Sequence, residues 1–165
     1  MIVKIDDWIF DVDMSATMEY SAKEAAEHCD CAYCRNFYAS IDDAYPHLRP
    51  FLAQFGVDIE GPDELMPFVA TLYAAAYAVE GRIMQFGQSS IRVDGVAVTP
   101  EKAQDAMINC GCKNPYFIIS VGTMVLPWVL DEPMEDVISP ANEQSFLKRM
   151  WDKLLRRQNK DIMSS

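Results

Sequence analysis

The chain has 165 residues, with 14 Lys and Arg against 25 Asp and Glu, a formal net charge of −11 and a pI near 4.5. Half of it is hydrophobic by count and the mean hydropathy is −0.05, which excludes a disordered chain, a collagen-like repeat and a disulfide-dense mini-protein. The acidic excess counts against a nucleic-acid partner, because such a face needs clustered cations to displace counterions.

The chain opens Met1-Ile2-Val3-Lys4-Ile5-Asp6-Asp7, without the basic start and apolar run of an export signal. Next, Trp8, Phe10 and Val12 share one parity and Asp7, Asp11 and Asp13 the other, which predicts a half-buried strand. Ser21-Ala22-Lys23-Glu24 has the form of a capping box and predicts a helix start, with the helical pattern continuing through Cys31 to Ala44. Cys34, Phe37, Tyr38, Ile41 and Tyr45 fall on one stripe of that helix. Pro46 opens a further short helix over residues 47–55, which Gly56 stops.

Beyond it, Val69, Thr71, Tyr73, Ala75, Tyr77 and Val79 alternate as a strand does. Residues 82–86 and 90–93 predict further strands, and Asp94-Gly95 predicts a tight turn into Val96-Ala97-Val98. Thr99-Pro100-Glu101 reads as a helix start, with Ala103, Ala106, Met107 and Cys110 as its apolar stripe. Residues 114–130 carry no charge, but Pro115, Gly122 and Pro127 break the run. Two buried strands are expected over residues 116–130, and no membrane span. The last predicted element is a helix over about residues 142–158, with Phe146, Leu147, Met150, Trp151, Leu154 and Leu155 on one face. No repeat or linker divides the chain. The expected architecture is one α+β domain over residues 1–165, helices packed against a mainly antiparallel sheet. A helical insertion at about residues 21–56 and the basic C-terminal helix complete it.

Five cysteines, an odd number without an export signal, predict reduced thiols in a cytoplasmic protein. His28-Cys29-Asp30-Cys31-Ala32-Tyr33-Cys34 is followed much later by Cys110-Gly111-Cys112. One reading joins Cys31, Cys34, Cys110 and Cys112 in a tetrahedral zinc site, with His28 or Cys29 as substitutes. A second makes them small buried hydrophobes, since Cys34 and Cys110 extend helical stripes. A third takes Cys31 and Cys34 as a redox dithiol at a helix start, although Glu27 and Asp30 place negative charge beside a thiolate. Arg35 and Asn36 follow the pair directly; Arg35 either clamps an anion or carboxylate or reaches across the surface to an acid such as Asp42 or Asp43.

Cys31-Ala32-Tyr33-Cys34-Arg35-Asn36-Phe37, with Tyr45-Pro46, Phe51-Leu52 and Phe55-Gly56-Val57-Asp58 after it, resembles a segment of an uncharacterised bacterial protein family. The resemblance implies a bacterial, cytoplasmic origin and a coherent helical unit here, and transfers no activity.

His28 and His47 are the only histidines, and there is no Gly-rich phosphate loop, G-x-S-x-G elbow or H-E-x-x-H. Asp6, Asp7, Asp11 and Asp13 lack the spacing of a calcium loop. Charge is also segregated: Lys148, Arg149, Lys153, Arg156, Arg157 and Lys160 against Asp152 give residues 148–160 a charge of +5 and leave −16 elsewhere. Lys148, Arg149, Trp151, Lys153, Arg156 and Arg157 are therefore the candidate interaction surface, for a partner or for the acidic body of a second copy in a homodimer. The sequence thus reads as a small binding or interaction protein without a recognisable catalytic centre. A zinc-stabilised protein and a dithiol redox protein are the alternatives.

Overall fold

A computed structural model describes residues 1–69, 71–106, 108 and 110–134. Its elements in chain order are β1 (Ile2–Ile5), β2 (Trp8–Val12), α1 (Met14–Ala26), α2 (Ala32–Ala44), α3 (Leu48–Ala53), β3 (Glu64–Val69), β4 (Leu72–Gln85), β5 (Ile91–Val93), β6 (Val96–Lys102) and β7 (Tyr116–Val125). The strands form one seven-stranded sheet in the order β1-β2-β4-β7-β6-β5, every pair antiparallel. The fourteen-residue β4 organises it: β3 pairs with its first half, β2 with its second, and β7 runs along the opposite edge. The α+β arrangement expected from sequence is the one observed.

Strand alternation gives the sheet two different faces. Tyr73, Ala75, Tyr77 and Val79 of β4, with Phe117, Ile119 and Val121 of β7, join Phe10, Phe37, Ile41, Leu52 and Phe55 in the main core, where α2 and α3 pack. The intervening Ala76, Ala78 and Ile118 form a smaller cluster, against which Tyr20, Ala106, Cys110, Cys112 and Tyr116 pack. Small alanines on that second face leave room for the residues folded over it.

Several elements start or stop where the local pattern did not place them. Helix α1 begins at Met14, not at Ser21, because Asp13 at the end of β2 caps it by accepting the Ala16 amide at 3.1 Å. Ser21 is instead buried within the helix and its hydroxyl accepts the Asp58 amide at 2.8 Å. The helical pattern through residue 31 is broken between Ala26 and Ala32, so α2 has its own N-terminus with Cys31 as the cap residue. The unpredicted β1 pairs with β2 across a turn in which Asp6 takes φ 50°, a conformation that Asp tolerates better than most residues.

Thr99-Pro100-Glu101 does not open a helix; it continues β6, which pairs with β7 as far as Lys102. Strand β5 accompanies β6 only to Val98, so Pro100 stands where one edge is unpaired and its missing N–H need not interrupt a ladder. After Lys102 the chain turns, with the Asp105 and Ala106 amides donating to its carbonyl. A single strand, β7, replaces the two expected over residues 116–130. The Asp94-Gly95 turn forms as predicted, at φ 50° and 83°. The predicted helix over residues 142–158 lies outside the described residues. Among the described residues, no helix is long and apolar enough to cross a membrane.

Candidate metal centre

Residues 27–31 make the short irregular connection between α1 and α2. It turns sharply enough for the Cys31 amide to meet Cys29 Sγ at 3.4 Å. Cys31 has extended backbone angles (φ −64°, ψ 159°), and its carbonyl accepts the Arg35 amide at 3.0 Å to start α2. From there the i, i+3 relationship sets Cys34 on the same side as Cys31. The Sγ atoms of Cys29, Cys31 and Cys34 lie within 4.8 Å of one another, with Cys29 exposed, Cys31 half-buried and Cys34 buried. Tetrahedral zinc with Zn–S bonds of about 2.3 Å requires sulfurs about 3.8 Å apart, so small side-chain shifts suffice to close three bonds.

The three thiols are not equivalent. A hydrogen bond from the Cys34 thiol pulls Cys31 down to about 5; backbone N–H groups at Cys34 and Tyr33 and the Cys29 side chain act in the same direction, against burial. Cys34 moves the other way, because it donates that bond and is buried. The negative charges of Glu27 and Asp30 therefore do not prevent a thiolate at Cys31. Burial, then the neighbouring Cys34, raises the Tyr38 phenol, whose ring meets that of His28 at a tilt of 33° with centroids 4.5 Å apart. His28 thus borders the thiol group without belonging to it.

Arg35 reaches an exposed acid, as one of its two readings expects, but that acid is Glu132 and not Asp42 or Asp43. Its guanidinium bonds the Glu132 carboxylate and the Asp30 carbonyl, while Asp42 is held by Arg49 at 2.9 Å. Asn36 is fully buried and ties α2 to the chain beyond β7: its Nδ2 donates to the Pro127 carbonyl at 3.0 Å and its Oδ1 accepts the Val129 amide at 2.8 Å. The same segment sets the Trp128 ring against Tyr33, with centroids 5.6 Å apart. Residues 127–132 therefore brace the N-terminal turn of α2, a role that no spacing in the sequence signals.

The structure brings Cys31 and Cys34 together with Cys29, and not with Cys110 and Cys112. The reason is the sheet. Helix α2 packs on its main-core face, whereas Cys110 and Cys112 pack on the Ala76–Ala78 side, beside Tyr20 and Tyr116. The early aspartates form no comparable group among the described residues: Asp13 caps α1 and Asp7 accepts the Gln88 amide at 2.7 Å. Lys148, Arg149, Trp151, Lys153, Arg156 and Arg157 lie outside the described residues. Comparison with protein-family models, with curated proteins and with solved structures gave no match.

Proposed function

We propose that the chain is a small metal-binding protein in which the thiolates of Cys29, Cys31 and Cys34 hold zinc. The observation that carries this reading is the convergence within 4.8 Å of three sulfurs, two from the α1–α2 connection and one from the first turn of α2. An all-sulfur set suits zinc, which accepts tetrahedral thiolate coordination without redox change. Three protein ligands leave a fourth position for water, a neighbouring side chain such as His28, or a bound molecule. Such a thiolate site fits a reducing, cytoplasmic setting, in which free thiols persist.

Because Cys34 keeps its proton more tightly than a free thiol, metal binding displaces that proton and tightens as pH rises. Competition against a chromogenic chelator tests the proposal on the reduced full-length chain. The expected result is one equivalent of zinc bound, with affinity weakened at least about 100-fold, or about 2.8 kcal/mol, by Cys31→Ser or Cys34→Ser. Binding unaltered by either substitution, or no binding by the reduced chain, overturns it.

One observation favours a second reading. Cys31 sits at the cap of α2 with Cys34 three residues on and hydrogen-bonded to it, an arrangement suited to a reversible dithiol. Retention of zinc under mildly oxidising glutathione buffers favours the metal site, and its release with formation of a Cys31–Cys34 disulfide favours the redox reading.

A further inference from the structure

The two cysteines on the other face of the sheet form a site of their own. Cys110 and Cys112 are separated only by Gly111, and the chain folds back so that the Cys112 amide donates to Cys110 Sγ at 3.3 Å. Both side chains are half-buried against Ala76, Ala78 and Ile118, while Gly111, Lys113 and Asn114 are exposed, so the sulfurs sit at the surface edge of a packed cluster. The turn is pinned from below. The Gly111 amide donates to the Tyr20 hydroxyl at 3.3 Å, and that hydroxyl donates to the carboxylate of Asp63, which also accepts the Ala78 amide at 2.7 Å. Asp63 is 2% exposed, so this anchor belongs to the sheet and not to the surface.

We infer that Cys110 and Cys112 form a thiol–disulfide exchange site for low-molecular-weight disulfides. A disulfide bridging cysteines one residue apart needs a fold-back of the chain, and that fold-back is already made. Sulfurs at an exposed edge give labile bridges suited to exchange, in contrast to the buried bridges that stabilise secreted domains. The pair is also differentiated: the Cys112 thiol donates to Cys110 and lowers it, and Cys112 is itself raised.

The chemistry balances with the disulfide as oxidant. The Cys110 thiolate attacks one sulfur of RS–SR, a mixed Cys110–SR disulfide forms, and the departing RS⁻ takes up a proton. Cys112 then loses its proton and attacks the Cys110 sulfur, expelling the second RS⁻, which is protonated in turn. Two protein thiols are oxidised to one disulfide and one RS–SR is reduced to two RSH.

Trypsin separates this site from the metal centre, because Cys110 and Cys112 fall on the peptide 103–113 and Cys29, Cys31 and Cys34 on the peptide 24–35. The full-length chain is equilibrated with graded ratios of glutathione to glutathione disulfide, acid-quenched, alkylated, digested and weighed. The expected result is a 103–113 peptide that loses two hydrogens and escapes alkylation as the buffer becomes oxidising, and recovers both thiols when the ratio is reversed. Cys112→Ser is expected to stop at glutathione on Cys110. The inference is overturned if both cysteines stay alkylatable at every ratio, or if each ends as a separate glutathione adduct. Zinc occupancy and the state of the 24–35 peptide are read from the same samples, so failure of the metal reading shows itself separately.

Discussion

The carboxamide of Asn36 accepts the Val129 amide at 2.8 Å from a position with no solvent exposure. Its amino group spans to the Pro127 carbonyl, so one side chain on α2 satisfies two backbone groups of the segment beyond β7. Replacing it leaves both short of a partner. Asn36→Ala is expected to cost about 2–4 kcal/mol, read as a lowered urea midpoint with little change in slope. An unchanged midpoint would show that water replaces both bonds without loss.

The thiols of the metal-free protein titrate apart. Cys31, pulled down to about 5 chiefly by the Cys34 hydrogen bond, is a thiolate at neutral pH, whereas Cys34 stays protonated. Iodoacetamide is expected to label Cys31 with a rate that rises through pH about 5 and levels off well below the range of an ordinary thiol. Cys34→Ala removes the donor and moves that midpoint upward. Cys34→Ser retains a donor and moves it less.

His47 and Asp94 couple the start of α3 to the β5–β6 turn. The His47 ring lies 2.6 Å from one Asp94 oxygen and the His47 amide donates to the other at 2.8 Å, which holds the Asp94 carboxyl below the ordinary carboxylate range. A depressed carboxylate stabilises the fold above its unfolded-state pKa of about 3.9 and loses that contribution as pH falls through its folded value. Asp94→Asn, which keeps a residue able to hold φ 50°, is expected to lower the melting temperature at neutral pH. The gap from the wild type should close as pH falls below about 4. A gap of constant size would mean that the charge contributes nothing.

Gly81 pairs with Val12 where β4 meets the end of β2. It adopts φ 145°, and a Cβ there would stand 2.1 Å from the Asp11 carbonyl oxygen. Gly81→Ala combines backbone strain with a clash against main chain that cannot yield locally. It is expected to cost at least about 3 kcal/mol in urea unfolding. A loss below about 1 kcal/mol would mean that the β2–β4 register adjusts freely.

Local pattern was enough where one element decided its own structure. The parity of Trp8, Phe10 and Val12, the Asp94-Gly95 turn and the stripe from Cys34 to Ile41 each identify an observed element. Thr99-Pro100-Glu101 misleads because its signal for a helix start is also compatible with an unpaired strand edge, and only the pairing of β6 with β7 resolves it. The same holds for the thiols. The spacing of Cys31 and Cys34 is legible in the chain, but Cys29 joins them through a turn between two helices that read as one. Cys110 and Cys112 are parted from them by which face of β4 each group packs on, a property of the assembled sheet.

The coordination of bound zinc tests the central claim most directly. X-ray absorption at the zinc edge on the full-length chain loaded with one equivalent is expected to show about three sulfur neighbours at about 2.3 Å with one lighter ligand. Cys29→Ser should exchange one of those sulfurs for a lighter atom. A shell of nitrogen and oxygen alone, or a sulfur count unmoved by Cys29→Ser, Cys31→Ser and Cys34→Ser, would contradict the account.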